Sequence, residues 1–187
     1  NLHSPLPRAY QWLDGSAFIR HIELARKARG AELPPGLKTT PLMYQGGSDF
    51  FLPPHGNIPN YPEEFGADFE AEIGVILDDV PQGTKAIEAN KYINLIVLIN
   101  DISLRGLIPN ELKMGFGFLQ SKPPCSFSPV ALTPDELGEH WKEGRVHLPL
   151  ISEFQGKEFG RPNGNEMHFS FFDLIEHASK TRPLTAG

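Results

Sequence analysis

The sequence predicts an α+β fold that is mainly β, on three observations. Eighteen prolines and 18 glycines among 187 residues cut the chain into short, well-punctuated elements. Its most apolar runs, "EIGVIL" (72–77) and "NLIVLIN" (94–100), have strand length and are rich in β-branched residues. Helical stretches are few and do not alternate regularly with strands, as a doubly wound sheet requires.

The elements follow in order. "SAFIRHIELARKARG" (16–30) reads as a helix, with Asp14 or Ser16 as its cap and Gly30 past its end. The proline-rich segment 32–65 holds short extended pieces around Met43 and Phe50. "GADFEAEIGVIL" (66–77) reads as one strand, with both faces covered because its apolar end shows no polar alternation. "GTKAIEANKYI" (83–93) suggests a short helix, and "NLIVLIN" a buried strand that ends at Asn100-Asp101. "GFGFLQSKPPCSFSPVAL" (115–132) reads as two short extended runs around a proline pair. "TPDELGEHW" (133–141) carries Thr133, Pro134 and Glu136 at the positions of a capping box. "VHLPLISEFQGKEFG" (146–160) is expected to be a hairpin turning at Gln155-Gly156. A last helix over "SFFDLIEHASKT" (170–181) is capped by Ser170, with Asp173 at its third position.

Composition narrows the function. Formal net charge is −6, which argues against a nucleic-acid binder. The longest apolar run is too short to span a bilayer. Cys125 is the sole cysteine, so no intrachain disulfide forms, consistent with a reducing cytoplasm. No leader is visible, and the chain opens without methionine and stops in loop-like sequence, so a fragment of something longer is expected.

Glu70 and Glu72, two apart in a strand, project to one face. Alone, such a pair reads most simply as a solvated edge. Asp101, just past the buried run, sits where site residues commonly lie. Converging carboxylates repel by about 4 kcal/mol per pair at 4 Å and an effective dielectric near 20, so protons or a cation must relieve them. Oxygen donors without a cysteine cluster suit Mg²⁺, Ca²⁺ or Mn²⁺ better than zinc.

With "DFEAEIGVIL", "INDISLRGL" and "FGFLQSKPPCSFSP" in this order, the chain resembles the fumarylacetoacetate hydrolase family. The resemblance implies that family's β-roll of mixed sheets, in a single catalytic domain over 1–187 that is incomplete at its C-terminal end. It implies metal ligands at Glu70, Glu72 and Asp101, with Asp14 as the fourth and His21, seven residues on, as catalytic histidine. Asp14 can also cap the helix, and His21 read alone is a residue at the core edge. The other six histidines, from His3 to His177, read as surface or packing residues. Lys122 matches the family's active-site lysine. Tyr44 and Arg105 match substrate-binding residues. Arg29 is a looser match, with compensation of the helix dipole as its other role.

The implied activity is metal-dependent hydrolysis of a C–C bond in a β-diketone, fumarylacetoacetate or an acylpyruvate, in the catabolism of aromatic compounds such as tyrosine. The implied cofactor is Mg²⁺, with Ca²⁺ or Mn²⁺ as alternatives. The implied partners are a small diketo acid and a second copy of the chain, with no nucleic acid and no membrane. Alternatives are a decarboxylase, isomerase or hydratase on the same metal–enolate platform, or a non-catalytic β-rich metal-binding module. Three substrate-side positions depart from the family pattern: Gln45 and Gly47 after the tyrosine, and Ile108 three residues past Arg105. The family's glycine-serine-threonine segment and the glutamate partner of its histidine have no match in these residues.

Overall fold

The computed structural model describes residues 2–28, 30, 32 and 35–187, without the side chains of His21, Ala25 and Ala28. Among the described residues it is α+β and mainly β, with eleven short strands and three short α-helices. In chain order these are β1 (Trp12–Gly15), α1 (Ile19–Ala28), β2 (Met43–Gly46), β3 (Ala67–Asp68), β4 (Ala71–Leu77), β5 (Ile93–Asn100), β6 (Ser103–Leu104), α2 (Ile108–Met114), β7 (Ser126–Leu132), β8 (Trp141–Lys142), β9 (Arg145–Val146), β10 (Ser152–Phe154), β11 (Lys157–Gly160) and α3 (Phe171–Ser179). No described helix is long and apolar enough to cross a membrane.

The central sheet is antiparallel, in the order β4-β5-β7. Its two faces bury different clusters, because side chains alternate along a strand. Ile73, Val75 and Leu77 pack with Ile93, Ile96 and the helix residues Ile19, Ile22, Phe171, Leu174 and Ile175. Ile76, Val97 and Ile99 pack with Phe51, Phe127, Cys125 and Trp12. Gly74 allows the strands to close up, since a Cβ there would run into Ile99.

Several expectations hold. The buried strand ends at Asn100, and the β10–β11 hairpin turns through Gln155 and Gly156, whose φ angles of 51° and 74° suit a tight hairpin turn. In α3, Ser170 Oγ accepts from Asp173 N at 3.3 Å while Asp173 Oδ2 accepts from Ser170 N at 2.8 Å, the expected capping box.

Others are corrected. Residues 66–77 are two strands, not one: β3 pairs with β6, then the chain changes partner and β4 pairs with β5. Glu70 falls at the change, its N–H donating to Asn100 Oδ1 and its carbonyl accepting from Asp101 N. Asp14 caps no helix, because β1 pairs with β2 and α1 starts only at Ile19. Thr133 precedes a 3-10 turn over Pro134–His140 without a side-chain cap, where Gly138 (φ 52°, ψ −126°) breaks the helical path. Residues 86–92 are likewise 3-10. Of the two extended runs in 115–132, only the second is a strand, and α2 precedes them in a segment not expected to be helical.

Candidate metal centre

Three carboxylates from separate parts of the chain meet at one end of the central sheet. Asp14 comes from β1, Glu70 from the β3–β4 junction and Asp101 from the residue after β5. Each offers an oxygen within 4.8 Å of the others. The β1–β2 register sets Tyr44 opposite Asp14, so both enter the site from one ribbon. Tyr44 Oη donates to Asp101 Oδ2 at 2.7 Å and lies 3.4 Å from Asp14 Oδ2. The Cys125 thiol donates to Asp101 Oδ1 at 2.9 Å.

Two cations balance the acids. Lys122 Nζ donates to Glu70 Oε2 and Asp101 Oδ2, each at 2.8 Å, with its side chain 7% exposed and that of Asp101 1%. It also sits 5.5 Å from the Tyr44 ring centroid, within range of a cation–π contact. Arg105 Nη1 lies 2.7 Å from Glu70 Oε1, and its Nε donates to Asp68 Oδ2 at 3.0 Å. Both donating edges of Arg105 therefore meet carboxylates. Phe118 packs edge-on against Tyr44, with ring centroids 4.9 Å apart.

Burial raises the Asp14 carboxyl well above the usual range, and its neighbour Asp101 adds to the rise. For Asp101, burial works the other way from its partners, but the contact with Asp14 and the cation of Lys122 hold it low. Glu72 is pushed up to about 7, first by burial and then by Glu70 and Asp101, with Lys122 opposing. Tyr44 and Cys125 stay neutral because burial, then the surrounding carboxylates, raise both.

Of the residues read from the sequence, Asp14, Tyr44, Glu70, Asp101, Arg105 and Lys122 come together. Glu72 lies beside the acidic trio, within reach of its charge, but outside the set whose oxygens share 4.8 Å. It faces a mostly apolar cavity of about 180 Å³, with Asp14, Trp12 and Ile99 among its walls. His21 is on α1, and its side chain lies outside the described atoms; Arg29 lies outside the described residues. Asp68, Cys125 and Phe118 join the site without a sequence signal of their own, since each is placed by long-range pairing.

The donor set fits a hard divalent cation. It is all oxygen and compact: Asp14, Glu70 and Asp101 supply three carboxylates, with Glu72 beside them, and Lys122 and Arg105 are the cations that face them. With oxygens up to 4.8 Å apart, each ionised pair repels by about 3.5 kcal/mol at an effective dielectric of 20.

Known proteins share this fold. The chain is 25% identical over 154 residues to the 2,4-didehydro-3-deoxy-L-rhamnonate hydrolase of Sphingomonas sp. (strain SKA58), covering 81% of this chain and 51% of that protein. The chain thus spans about half the length of this curated relative. Among solved structures, a fumarylacetoacetate hydrolase family protein of Yersinia pestis CO92 superposes with a TM-score of 0.76 at 18% identity, covering 100% of this chain and 84% of that one. The fumarylpyruvate hydrolase of Pseudomonas aeruginosa, solved with Mn²⁺ and pyruvate, gives 0.70 at 14% identity, covering 96% and 75%. The family model described as fumarylacetoacetate (FAA) hydrolase C-terminal matches residues 11–187. By that match, which runs through every carboxylate of the site, the chain belongs to the fumarylacetoacetate hydrolase family.

Proposed function

We propose that this protein is a metal-dependent hydrolase that cleaves the C–C bond of a β-diketo acid of the acylpyruvate or fumarylacetoacetate type. The observation that carries the reading is the convergence of Asp14, Glu70 and Asp101 around one point, with the Lys122 ammonium against two of them. The names of two similar proteins, a 2,4-didehydro-3-deoxy-sugar-acid hydrolase and a fumarylpyruvate hydrolase, share a 2,4-diketo acid substrate. Residues 1–187 would belong to a single catalytic domain, acting in aromatic catabolism in the cytoplasm as a homodimer.

Asp14, Glu70 and Asp101 would hold the cation, Mg²⁺ or Mn²⁺, with Glu72 as the fourth carboxylate. Bound there, the cation supplies Lewis-acid polarisation and a template for the diketone. His21 is the proposed base: it takes a proton from water, whose oxygen bonds to the attacked carbonyl carbon. The C–C bond then breaks, its electron pair leaves as an enolate, and the proton held by His21 passes to the enolate carbon. An ammonium has three donors, and Lys122 uses two on Glu70 and Asp101, so its third is available to the developing oxyanion. Tyr44 orients the substrate and Asp101 together. Arg105, paired to Asp68 through Nε and to Glu70 through Nη1, would hold the acid end of the substrate with the guanidinium N–H groups that these contacts leave free, and Arg29 is proposed to help it.

The test strips the protein with a chelator, restores Mg²⁺ or Mn²⁺, and follows loss of diketone absorbance with fumarylacetoacetate, fumarylpyruvate and 2,4-didehydro-3-deoxy-L-rhamnonate. Metal-dependent turnover of at least one is expected, with loss of turnover in Asp101→Asn. No turnover of any diketone with either metal would refute the hydrolase reading.

A further inference from the structure

We propose that Glu111 is a positioning residue that sets Lys122 against the acidic site and Phe118 against Tyr44. The inference rests on the role given above to Lys122. Glu111 is on α2 and touches none of the carboxylates. Its Oε1 accepts from the backbone N–H of Leu119 at 3.1 Å and of Gln120 at 2.7 Å. Its Oε2 accepts from Ser121 N at 3.2 Å and also from the Ser121 hydroxyl. One carboxylate thus takes four donors from three consecutive residues, and the next residue is Lys122.

Little else holds this stretch. The chain returns from α2 through Gly115 (φ 77°) and Gly117 (φ 104°), residues that impose no stiffness of their own. Phe116 at the tip is fully exposed, and residues 115–125 belong to no strand. The clamp meets a second anchor at Ser121, whose carbonyl accepts from Leu104 N at 2.8 Å and which is wholly buried. Leu104 adjoins Arg105, so Ser121 ties the Lys122 side of the site to the Asp101–Arg105 side. Without the carboxylate, the N–H groups of the exposed Leu119 and Gln120 and of the buried Ser121 lose their acceptor, and the lysine loses the fixed stem from which it reaches Glu70 and Asp101.

A carboxylate is the fitting acceptor, because all four contacts are donors. In Glu111→Gln one oxygen becomes an NH₂ that faces N–H groups, so the clamp fails on one side while size is kept. The test combines amide hydrogen exchange with a double-mutant cycle of Glu111→Gln and Lys122→Met, and adds Ser121→Ala as a milder break. Exchange at Leu119, Gln120 and Ser121 should quicken at least tenfold in Glu111→Gln. In metal-free protein the melting-temperature loss caused by Lys122→Met should shrink to less than half in the Glu111→Gln background, because the lysine is then already misplaced. With diketone substrate, Glu111→Gln should lower kcat at least tenfold, with KM changed less than threefold, and Ser121→Ala should fall between it and wild type. Unchanged exchange, or melting losses that simply add, would overturn the proposal. Since exchange and melting need no turnover, a wild-type protein inert to every diketone would count against the hydrolase reading and leave this result to stand or fall separately.

Discussion

Replacing Lys122 by methionine isolates the electrostatics of the site, since it keeps the length of the stem and removes the ammonium. The charge removed lies 2.8 Å from Glu70 and 2.8 Å from Asp101, on side chains 17% and 1% exposed. Deleting one partner of a buried pair costs about 3–5 kcal/mol, because the other charge stays buried without compensation. Arg105 still pairs with Glu70, so the low end, about 3 kcal/mol, applies here. In a chain of this size each kcal/mol lowers the melting temperature by about 2–4 °C, so the loss in chelator should be about 6–12 °C. A divalent cation on the same carboxylates replaces the missing charge, and binding at 100-fold over Kd adds about 2.7 kcal/mol. Saturating Mn²⁺ should therefore restore most of the loss, and the variant should gain more from it than the wild type, which keeps an ammonium competing for the same oxygens. Circular-dichroism melts of both proteins, with EDTA and with Mn²⁺, read this directly. Equal melting in EDTA would show that the ammonium is not paired with these acids, and no shift with Mn²⁺ in either protein would remove the cation site.

Phe127→Ala should cost about 3–5 kcal/mol in urea denaturation, because the ring is 3% exposed and packs 4.5 Å from Phe51 and 5.6 Å from Trp12 between centroids; a loss below about 1 kcal/mol would mean that the cluster is not packed this way. A pH series tests Glu111. Burial pushes its carboxyl up, but the Ser121 hydroxyl and the backbone N–H groups of residues 119–121 more than offset that, and its pKa falls below the ordinary 4.5. A depressed folded value stabilises above the unfolded one, so the stability gap between wild type and Glu111→Ala should be full above about pH 4.5 and close as pH falls through the folded value. A gap that widens on acidification would contradict the clamp.

What the sequence reveals here divides by range of interaction. β5, the β10–β11 hairpin and the Ser170 cap are legible because their signals are local: an apolar run, two turn residues and a hydroxyl three residues from a carboxylate. α2 has signals too, with Pro109 in its first turn and Gly115 past its end, but its seven residues are too few to show a period. Asp14 misleads for a physical reason: a strand and a helix cap both accept an aspartate there, and the deciding partner, Tyr44, is 30 residues away. Glu70 and Glu72 share a face only if their strand is unbroken, and the break depends on which strands β3 and β4 pair with. Glu111 and Cys125 were invisible because each acts through contacts that the fold makes.

The break is what makes the site. β5 leaves its ladder at Asn100 while the chain crosses to β6, and on the facing segment β3 ends before β4 begins. Backbone groups left between two ladders need other partners. Here Asp101 N donates to the Glu70 carbonyl at 2.9 Å, and Glu70 N to Asn100 Oδ1 at 3.3 Å. These two bonds fix the main chain under both carboxylates, so the side chains stand on a framework and not on free loops. An unbroken ladder would have sent alternate side chains to opposite faces and spread the charges along the strand. The exchange of strand partners instead gathers Glu70 and Asp101 at one edge, where Asp14 from the neighbouring ribbon can reach them. Buried like charges cost energy, and Lys122 and Arg105 relieve it only in part. That residual repulsion is the physical reason to expect tight cation binding at this edge of the sheet.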